Sequence, residues 1–422
     1  MMVVVSFPSV IPRSWVNGAR VGGRACELAW TAAVLAGLLS LSACGGSSGG
    51  GGASGSSAFD LPTVVSSGGP VLDSPRVQPI YFPGFAFQTD VDGFLAKMAG
   101  SSYWPTVVKE YGVGDLTIMP SLVTSVSAGA ALADTDIPGL LAQVFTSSGG
   151  ALGAPSRDTI YLLLFPSSTT ITAQGQVMCG ASAPSGYHTE FSLGGVTVPG
   201  VVVPSCPNYA GDTTLTGVQA LTPTISHEIV ESATDPFTTT APAYFDVDER
   251  HTIWSVAING GEVADLCENE TPDLITPDDI GYPVQRIWSN DAVNAGTGPC
   301  VPVPPGEVFF IAVPTLPNQV PVSYNGKQFS VPALNATVGT SVSVQVSMRS
   351  ERNVVEQWVV GALEFHSDNA SVPQAPPLTG QTGQTLRVSV VPNTVASGLF
   401  PLIIASATSN AVHFWVGAIN RK

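Results

Sequence analysis

The sequence predicts a chain of two globular parts, an α+β domain followed by an all-β sandwich. Glycine (44 residues) and proline (35) are abundant and only 11% of the 422 residues are charged, a turn-rich composition long enough for two domains of ordinary size. Up to about residue 300, strand-like apolar runs alternate with stretches of helical period. Beyond residue 305 apolar and polar residues alternate strictly, as in SVSVQVSM at 341–348.

At the N-terminus, Arg13, Arg20 and Arg24 precede the apolar run LAWTAAVLAGLL, which ends in Leu41-Ser42-Ala43-Cys44. That is the pattern of a secretory signal peptide over residues 1–43 closed by a bacterial lipobox, with Cys44 carrying the lipid. The run is short for a transmembrane span. Residues 44–69 are rich in glycine and serine and read as a tether. Cleavage removes three arginines and Glu27, leaving 12 basic and 30 acidic residues, a net charge of −18. Such a surface repels nucleic acid and anionic lipid, so the bilayer is a partner only through acylated Cys44. The expected location is the bacterial cell envelope, periplasmic or surface-exposed. Gly45 beside the lipid-bearing cysteine is no inner-membrane retention signal, which favours the outer membrane.

The first domain is expected over residues 70–300. It opens with a strand at 77–83, followed by a helical stretch at 91–111 broken near 100–102, a strand at 116–123, a helix at 137–145 and an apolar strand at 159–165. The alternation suggests a sheet covered on one side. From residue 170 the domain is loop-rich and holds Cys179, Cys206, Cys267 and Cys300. An even number in an exported chain implies disulfides, and three pairings can form. The local pairs Cys179–Cys206 and Cys267–Cys300 are expected, each stapling one loop-rich segment. Residues 301–305, VPVPP, read as a linker. Strands at 308–313, 341–348, 357–364, 386–390, 399–405 and 412–417 are six of the about seven expected over residues 306–422, the spacing of an immunoglobulin-like β-sandwich. Trp358 and Trp415 are its expected core aromatics, and His366 and His413 surface or packing histidines.

The chemistry concentrates in LTPTISHEIVESATDP at 221–236. Thr222 is the expected N-cap of a helix, Pro223 its first residue and Pro236 its stop. At about 100° per residue, Ile225, Ile229 and Ala233 form an apolar stripe, with His227, Glu231 and Thr234 opposite. In the H-E-x-x-H metalloprotease helix two histidines one turn apart bind zinc and the glutamate activates water. Here Glu231 stands in place of the second histidine, and a carboxylate is an acceptable zinc ligand. His227 and Glu231 are thus candidate zinc ligands and Glu228 the candidate general base, on a zincin-like α+β fold. Downstream, in GGEVADLCENE at 260–270, Glu262 is the candidate third ligand and Asp265 the residue that orients a ligating histidine. His188, His251 and Asp248 compete for the third position.

Two other readings of these acids stand beside it. Thirteen acids and one base, Arg250, lie between residues 226 and 279, so the segment can be a solvated acidic surface. Asp246, Asp248 and Glu249 offer hard oxygen ligands for calcium. No G-x-S-x-G elbow and no strand-to-helix phosphate loop occurs, which removes the usual serine-hydrolase and nucleotide-binding signatures.

HEIVESATDP at 227–236 followed by GEVADLCE at 261–268 resembles the paired signature of the exordium, or phosphate-induced protein, family. Cys179-Gly180, Gly186-Tyr187-His188 and Cys206-Pro207 are similar to its cysteine-bearing middle section. VQPIYFP at 77–83, with Tyr103-Trp104 and Tyr111-Gly112-Val113-Gly114, is similar to its beginning. The resemblance covers residues 77–300, outside the lipobox and the sandwich. It implies an exported protein of the cell wall or envelope with a metallopeptidase-like site on His227, Glu228, Glu231, Glu262 and Asp265, with His188 as an addition. The chain departs from a standard metalloprotease in lacking the second histidine and any third-histidine motif. The function expected is therefore a zinc-dependent, peptidase-like hydrolase acting on a peptide or cell-envelope polymer. The alternative is a non-catalytic module that binds polysaccharide or protein in the envelope.

Overall fold

The structure is a computed structural model that describes residues 58–180, 183–258, 260–352, 357–364, 372–373, 378–390 and 398–422. The expected signal peptide, Cys44, the expected tether up to residue 57 and His366 lie outside these residues.

The first domain is built on one mixed sheet. Strands β1 (Arg76–Tyr81), β2 (Thr117–Ile118), β3 (Leu122–Val123), β4 (Thr159–Phe165), β5 (Tyr187–Leu193) and β6 (Val196–Pro204) assemble in the order β2-β1-β4-β6-β5, with β3 also on β1. β1, β4 and β6 run parallel, and β5 closes the edge antiparallel to β6. Against expectation the sheet is covered on both faces. Val77, Ile160, Leu162, Leu164, Val201 and Val203 pack with α1 (Gln88–Gly100), α2 (Tyr103–Val108) and α4 (Val218–Thr234). Ile80, Tyr161, Leu163, Phe165 and Val202 face α3 (Ile137–Ser147) on the other side. The cause is legible in β4: TIYLLLF is buried at every position, and a strand flanked by parallel neighbours under two layers reads as a continuous apolar run.

The second domain is two-layered and all β. One sheet holds β7 (Phe310–Thr315), β10 (Val342–Ser350) and β12 (Thr385–Val390) in the order β7-β10-β12. The other runs β8 (Asn318–Tyr324), β9 (Lys327–Ala336), β14 (Val412–Arg421), β13 (Gly398–Ala407), β11 (Trp358–Glu364), and Val372–Pro373 and Leu378–Gly380 both pair with β11. All pairings are antiparallel except β9 with β14. Trp358 is buried against Phe310, ring centroids 5.0 Å apart, as a core aromatic should be.

The two domains share one continuous apolar cluster. Residues 301–305 do not act as a free linker, since Cys300–Val301 pairs with Ile287–Trp288. Beside it the buried Arg286 donates to Cys300 O, Pro302 O and Pro272 O and pairs with Glu307, Nη2 to Oε1 at 2.8 Å. His413 is neither on the surface nor merely packed: its Nδ1 lies 2.6 Å from Glu270 Oε2 across the junction. Trp415 likewise reaches out of its domain, its indole donating to Asp60 O at 2.8 Å.

Residues 58–69 are not tether. Phe59, Leu61 and Val64 are buried, and Val64–Val65 forms a strand pair with Asp246–Val247. Three apolar side chains give this segment something to bury, which the glycine and serine before it lack. Asp60 is held by Arg250 and His251, and His251 Nδ1 lies 2.9 Å from Asp248. Burial lowers the His251 pKa, but the bonds to Asp248 and Asp60 outweigh it and raise the value above the ordinary 6.5. Asp60 and Asp248 are lowered below 3.8, burial being outweighed mainly by the His251 bond. The histidine's contribution is fully present below pH 6.5 and lost as pH rises through its raised folded value. The carboxylates' contribution is present above 3.8 and lost as pH falls through their depressed values. His251→Ala is therefore expected to lower stability by about 1.5–3 kcal/mol near pH 5.5 and by much less at pH 9, read from thermal melts of both proteins at the two pH values.

Candidate metal centre

Helix α4 starts four residues before the expected N-cap. Gly217, at φ +59, turns the chain, and the helix runs Val218–Thr234 with Pro223 in its second turn. Thr222 is no cap: its hydroxyl donates to Pro283 O at 2.8 Å. Nor is there a polar solvent face. Sheet β4–β6 covers one side and Val284–Gln285 the other, so Ser226, Glu228, Glu231, Ser232 and Thr234 are all buried. The solvated-surface reading of this helix is thereby overturned.

His227 and Glu231 lie one turn apart on α4, with Nε2 and Oε2 at 3.1 Å. After α5 (Thr252–Ile258) comes the one-turn helix α6 (Asp265–Glu268), and the other Glu231 oxygen accepts the amides of Ala264 and Asp265 at its start, at 3.1 and 3.2 Å. This grip leaves Oε2 free to face both histidines. His188 comes from β5, opposite Val201 of β6, on the face turned to α4. Its Nδ1 is 3.4 Å from Glu231 Oε2 and 3.5 Å from Glu228 Oε2, and its Nε2 is 3.4 Å from Glu262 Oε1. Asp265 Oδ1 is 3.7 Å from His227 Nε2. Ligands at 2.0–2.1 Å around a tetrahedral ion stand about 3.3 Å from one another, so these separations suit a metal site.

The donors divide into sets of three whose atoms lie within 4.8 Å of each other: His227 with Glu231 and Asp265, His188 with Asp235 and Glu262, and His188 with Glu228 and Glu231. Glu262 and Asp265 exchange their expected places. Asp265 joins His227 and Glu231, and Glu262 sits on the far nitrogen of His188. Two glycines make room for this. A Cβ on Gly260 would stand 1.9 Å from Asp265 Oδ2, and one on Gly186 would strike Thr224 at 2.5 Å and crowd Glu228.

Electrostatics show a site short of positive charge. Burial raises Glu262 to about 8, with the charges of Glu231 and Asp235 adding to it against the pull of His188. Burial, then the charges of Glu231 and Glu262, raises Asp265 well above the ordinary carboxylate value. Asp235 and Glu268 are raised chiefly by burial. Burial would also raise Glu231, but His227 and His188 outweigh it and hold it far below 4.5. Burial lowers both imidazoles less than the surrounding carboxylates raise them: Glu262 acts first on His188 and Glu231 first on His227. Glu262 and Asp265 are thus the carboxyls that burial and their acidic neighbours disfavour most in the charged form. These buried His, Glu and Asp groups could hold a metal ion.

The remaining candidates lie elsewhere. His251 and Asp248 bind each other and the 58–69 segment and are not ligands here. The calcium trio does not converge: Asp248 faces Thr63 and His251, and Asp246 accepts from Ser255 and from the Val247 amide. Sequence reasoning missed Asp235, although His227, Glu231 and Asp235 are spaced i, i+4, i+8. Both expected disulfides are present, Cys179–Cys206 beside the loop that leads into β5, and Cys267–Cys300 joining α6 to the domain junction. Such bonds belong to a protein that folds in an oxidising compartment. Among the described residues no helix is long and apolar enough to cross a membrane.

No family model matches the chain, and no curated protein matches it. Among solved structures it is similar to domain 1 of VCBP3 from Branchiostoma floridae, with 11% identity and a TM-score of 0.17 over 28% of this chain and 98% of that one. It is also similar to a β-glucosidase from Listeria innocua in complex with glucose, with 9% identity and a TM-score of 0.17 over 84% of this chain. The matched region is 48% of that enzyme's length. Neither similarity defines a fold family or a function for this chain.

Proposed function

We propose that the chain is a lipid-anchored protein of the bacterial cell envelope whose first domain is a zinc-dependent, peptidase-like hydrolase of the exordium type, followed by an immunoglobulin-like sandwich. The observation that carries the reading is the converging set His227, Glu231 and Asp265, in which His227 Nε2 and Glu231 Oε2 stand 3.1 Å apart on one helix. An imidazole with two carboxylates suits zinc better than calcium, which takes six to eight oxygens. The antiparallel edge strand β5 beside α4 supports a zincin-like arrangement. Zinc, when bound, supplies polarisation of a peptide carbonyl and acidification of water. Glu228, next to His227, takes the proton of the attacking water on its carboxylate and delivers it to the leaving amine. The Ala264 and Asp265 amides keep Glu231 in its ligating orientation.

The enclosure of the site favours a second reading, a non-catalytic module that holds polysaccharide or protein in the envelope. Side-chain exposure is 2% at Glu231, 5% at His188 and 11% at His227, and reaches 25% at Asp265. Elemental analysis of the purified protein beside His227→Ala tests the ligand assignment. The wild type is expected to carry zinc and the variant to hold one equivalent less; equal zinc in both, or none in either, would overturn it.

A further inference from the structure

We infer a second divalent-cation position next to the first, built by His188 Nε2, Asp235 Oδ2 and Glu262 Oε1. It deepens the proposed metal centre and rests on that reading for its neighbour, although its three ligands are its own.

None of these three buried atoms makes a hydrogen bond of good geometry, although His188 Nε2 and Glu262 Oε1 face each other at 3.4 Å. They come from three separate elements, the edge strand β5, the residue that ends α4 and the loop before α6, and they lie within 4.8 Å of one another. Buried polar atoms are nearly always partnered, and three orphans converging from three elements are the mark of a missing common partner. Asp235 is fully buried; its other oxygen accepts the Ala243 amide at 2.6 Å, which fixes the carboxylate and turns Oδ2 to the gap.

His188 gives the two positions separate identities. With Nε2 toward Glu262 and Asp235, its Nδ1 faces Glu231 Oε2 at 3.4 Å and Glu228 Oε2 at 3.5 Å. A ligating histidine characteristically donates its other nitrogen to a carboxylate, and here that carboxylate belongs to the first position. The ring therefore ligates one ion and steadies a ligand of the other. Charge points the same way. Glu228, Glu231, Asp235, Glu262 and Asp265 gather in one place, and among the described residues their only ion-pair partners are His188 and His227. One divalent ion leaves most of this charge unbalanced, and two nearly neutralise it.

The set of one imidazole and two carboxylates accepts zinc, manganese or ferrous iron, and zinc is the probe. The full-length protein is stripped with chelator, reloaded with Zn²⁺, desalted and assayed for zinc per chain, with circular dichroism to confirm folding. Two equivalents are expected for wild type and one each for Asp235→Asn, Glu262→Gln and His227→Ala. The double variant His227→Ala/Asp235→Asn is expected to hold none. Asparagine keeps an oxygen for the Ala243 amide, and Glu262→Gln provides an independent loss should Asp235→Asn fail to fold. One equivalent in the wild type, abolished by His227→Ala, overturns the second position and leaves the first. Two equivalents retained by both Asp235→Asn and Glu262→Gln overturn it equally. No zinc in any protein removes both positions.

Discussion

Glu228→Gln is expected to keep its zinc and to lower peptide hydrolysis by about 10²–10⁴-fold, the usual contribution of a positioned general base. Glu228 lies outside the His227, Glu231 and Asp265 donor set, although its Oε2 is 3.5 Å from His188 Nδ1, and an amide of the same shape fills the same space. What it removes is the capacity to accept a proton. The measurement is kcat/KM on a quenched fluorescent peptide library, with zinc content read on the same samples. Hydrolysis unchanged by the substitution would dismiss Glu228 as the base. A zinc-loaded wild type that cleaves no peptide would instead favour the envelope-binding module, with the metal holding β5, α4 and α6 together.

The second large effect lies at the domain junction. Arg286→Ala is expected to cost about 3–5 kcal/mol, because removing one member of a buried ion pair leaves its partner charged and unpaired. Arg286 is 2% exposed and Glu307 11%. The same substitution strips Cys300 O, Pro302 O and Pro272 O of their donor. A urea titration gives the change in unfolding free energy, and the double variant Arg286→Ala/Glu307→Gln is expected to recover part of the loss. A cost under about 1 kcal/mol would place this pair with ordinary surface ion pairs.

The sequence made the location of the site legible because one helical turn fixes the geometry of His227 and Glu231. It also made the two disulfides legible, since each closes a local loop. The division of labour between Glu262 and Asp265 was hidden: three residues apart in sequence, they flank the Val263-Ala264 turn into α6, where the Ala264 and Asp265 amides seize Glu231. Asp235 was hidden for a different reason. Aspartate before proline reads as a helix stop, and only the surrounding layers show that this helix end is enclosed. Some signals in plain view were passed over. Asn325-Gly326, both at positive φ, is a two-residue hairpin turn joining β8 to β9, and that dipeptide is a strong local hairpin signal. The prolines around it sit where strands tolerate them. Pro321 is tolerated because β8 is an edge strand, and Pro332 because the pairing of β9 with β14 begins only at Ala333. In the first domain, layering overrode local preference: with sheet on one side and a loop on the other, α4 could bury polar residues that an amphipathic reading places in water.

The segment 58–69 has a consequence for how the chain comes together. Its anchors lie far ahead in sequence: Trp288 holds Pro62 O, Asn290 holds Val64, and Trp415 holds Asp60 O across 355 residues. None of these partners exists while the segment itself is being synthesised, and closing so long a loop comes late in folding. The first described residues to be made are therefore among the last to settle. A chain truncated before β14 would lack Trp415, whose indole holds the Asp60 carbonyl between the buried Phe59 and Leu61, and would leave this segment short of one anchor.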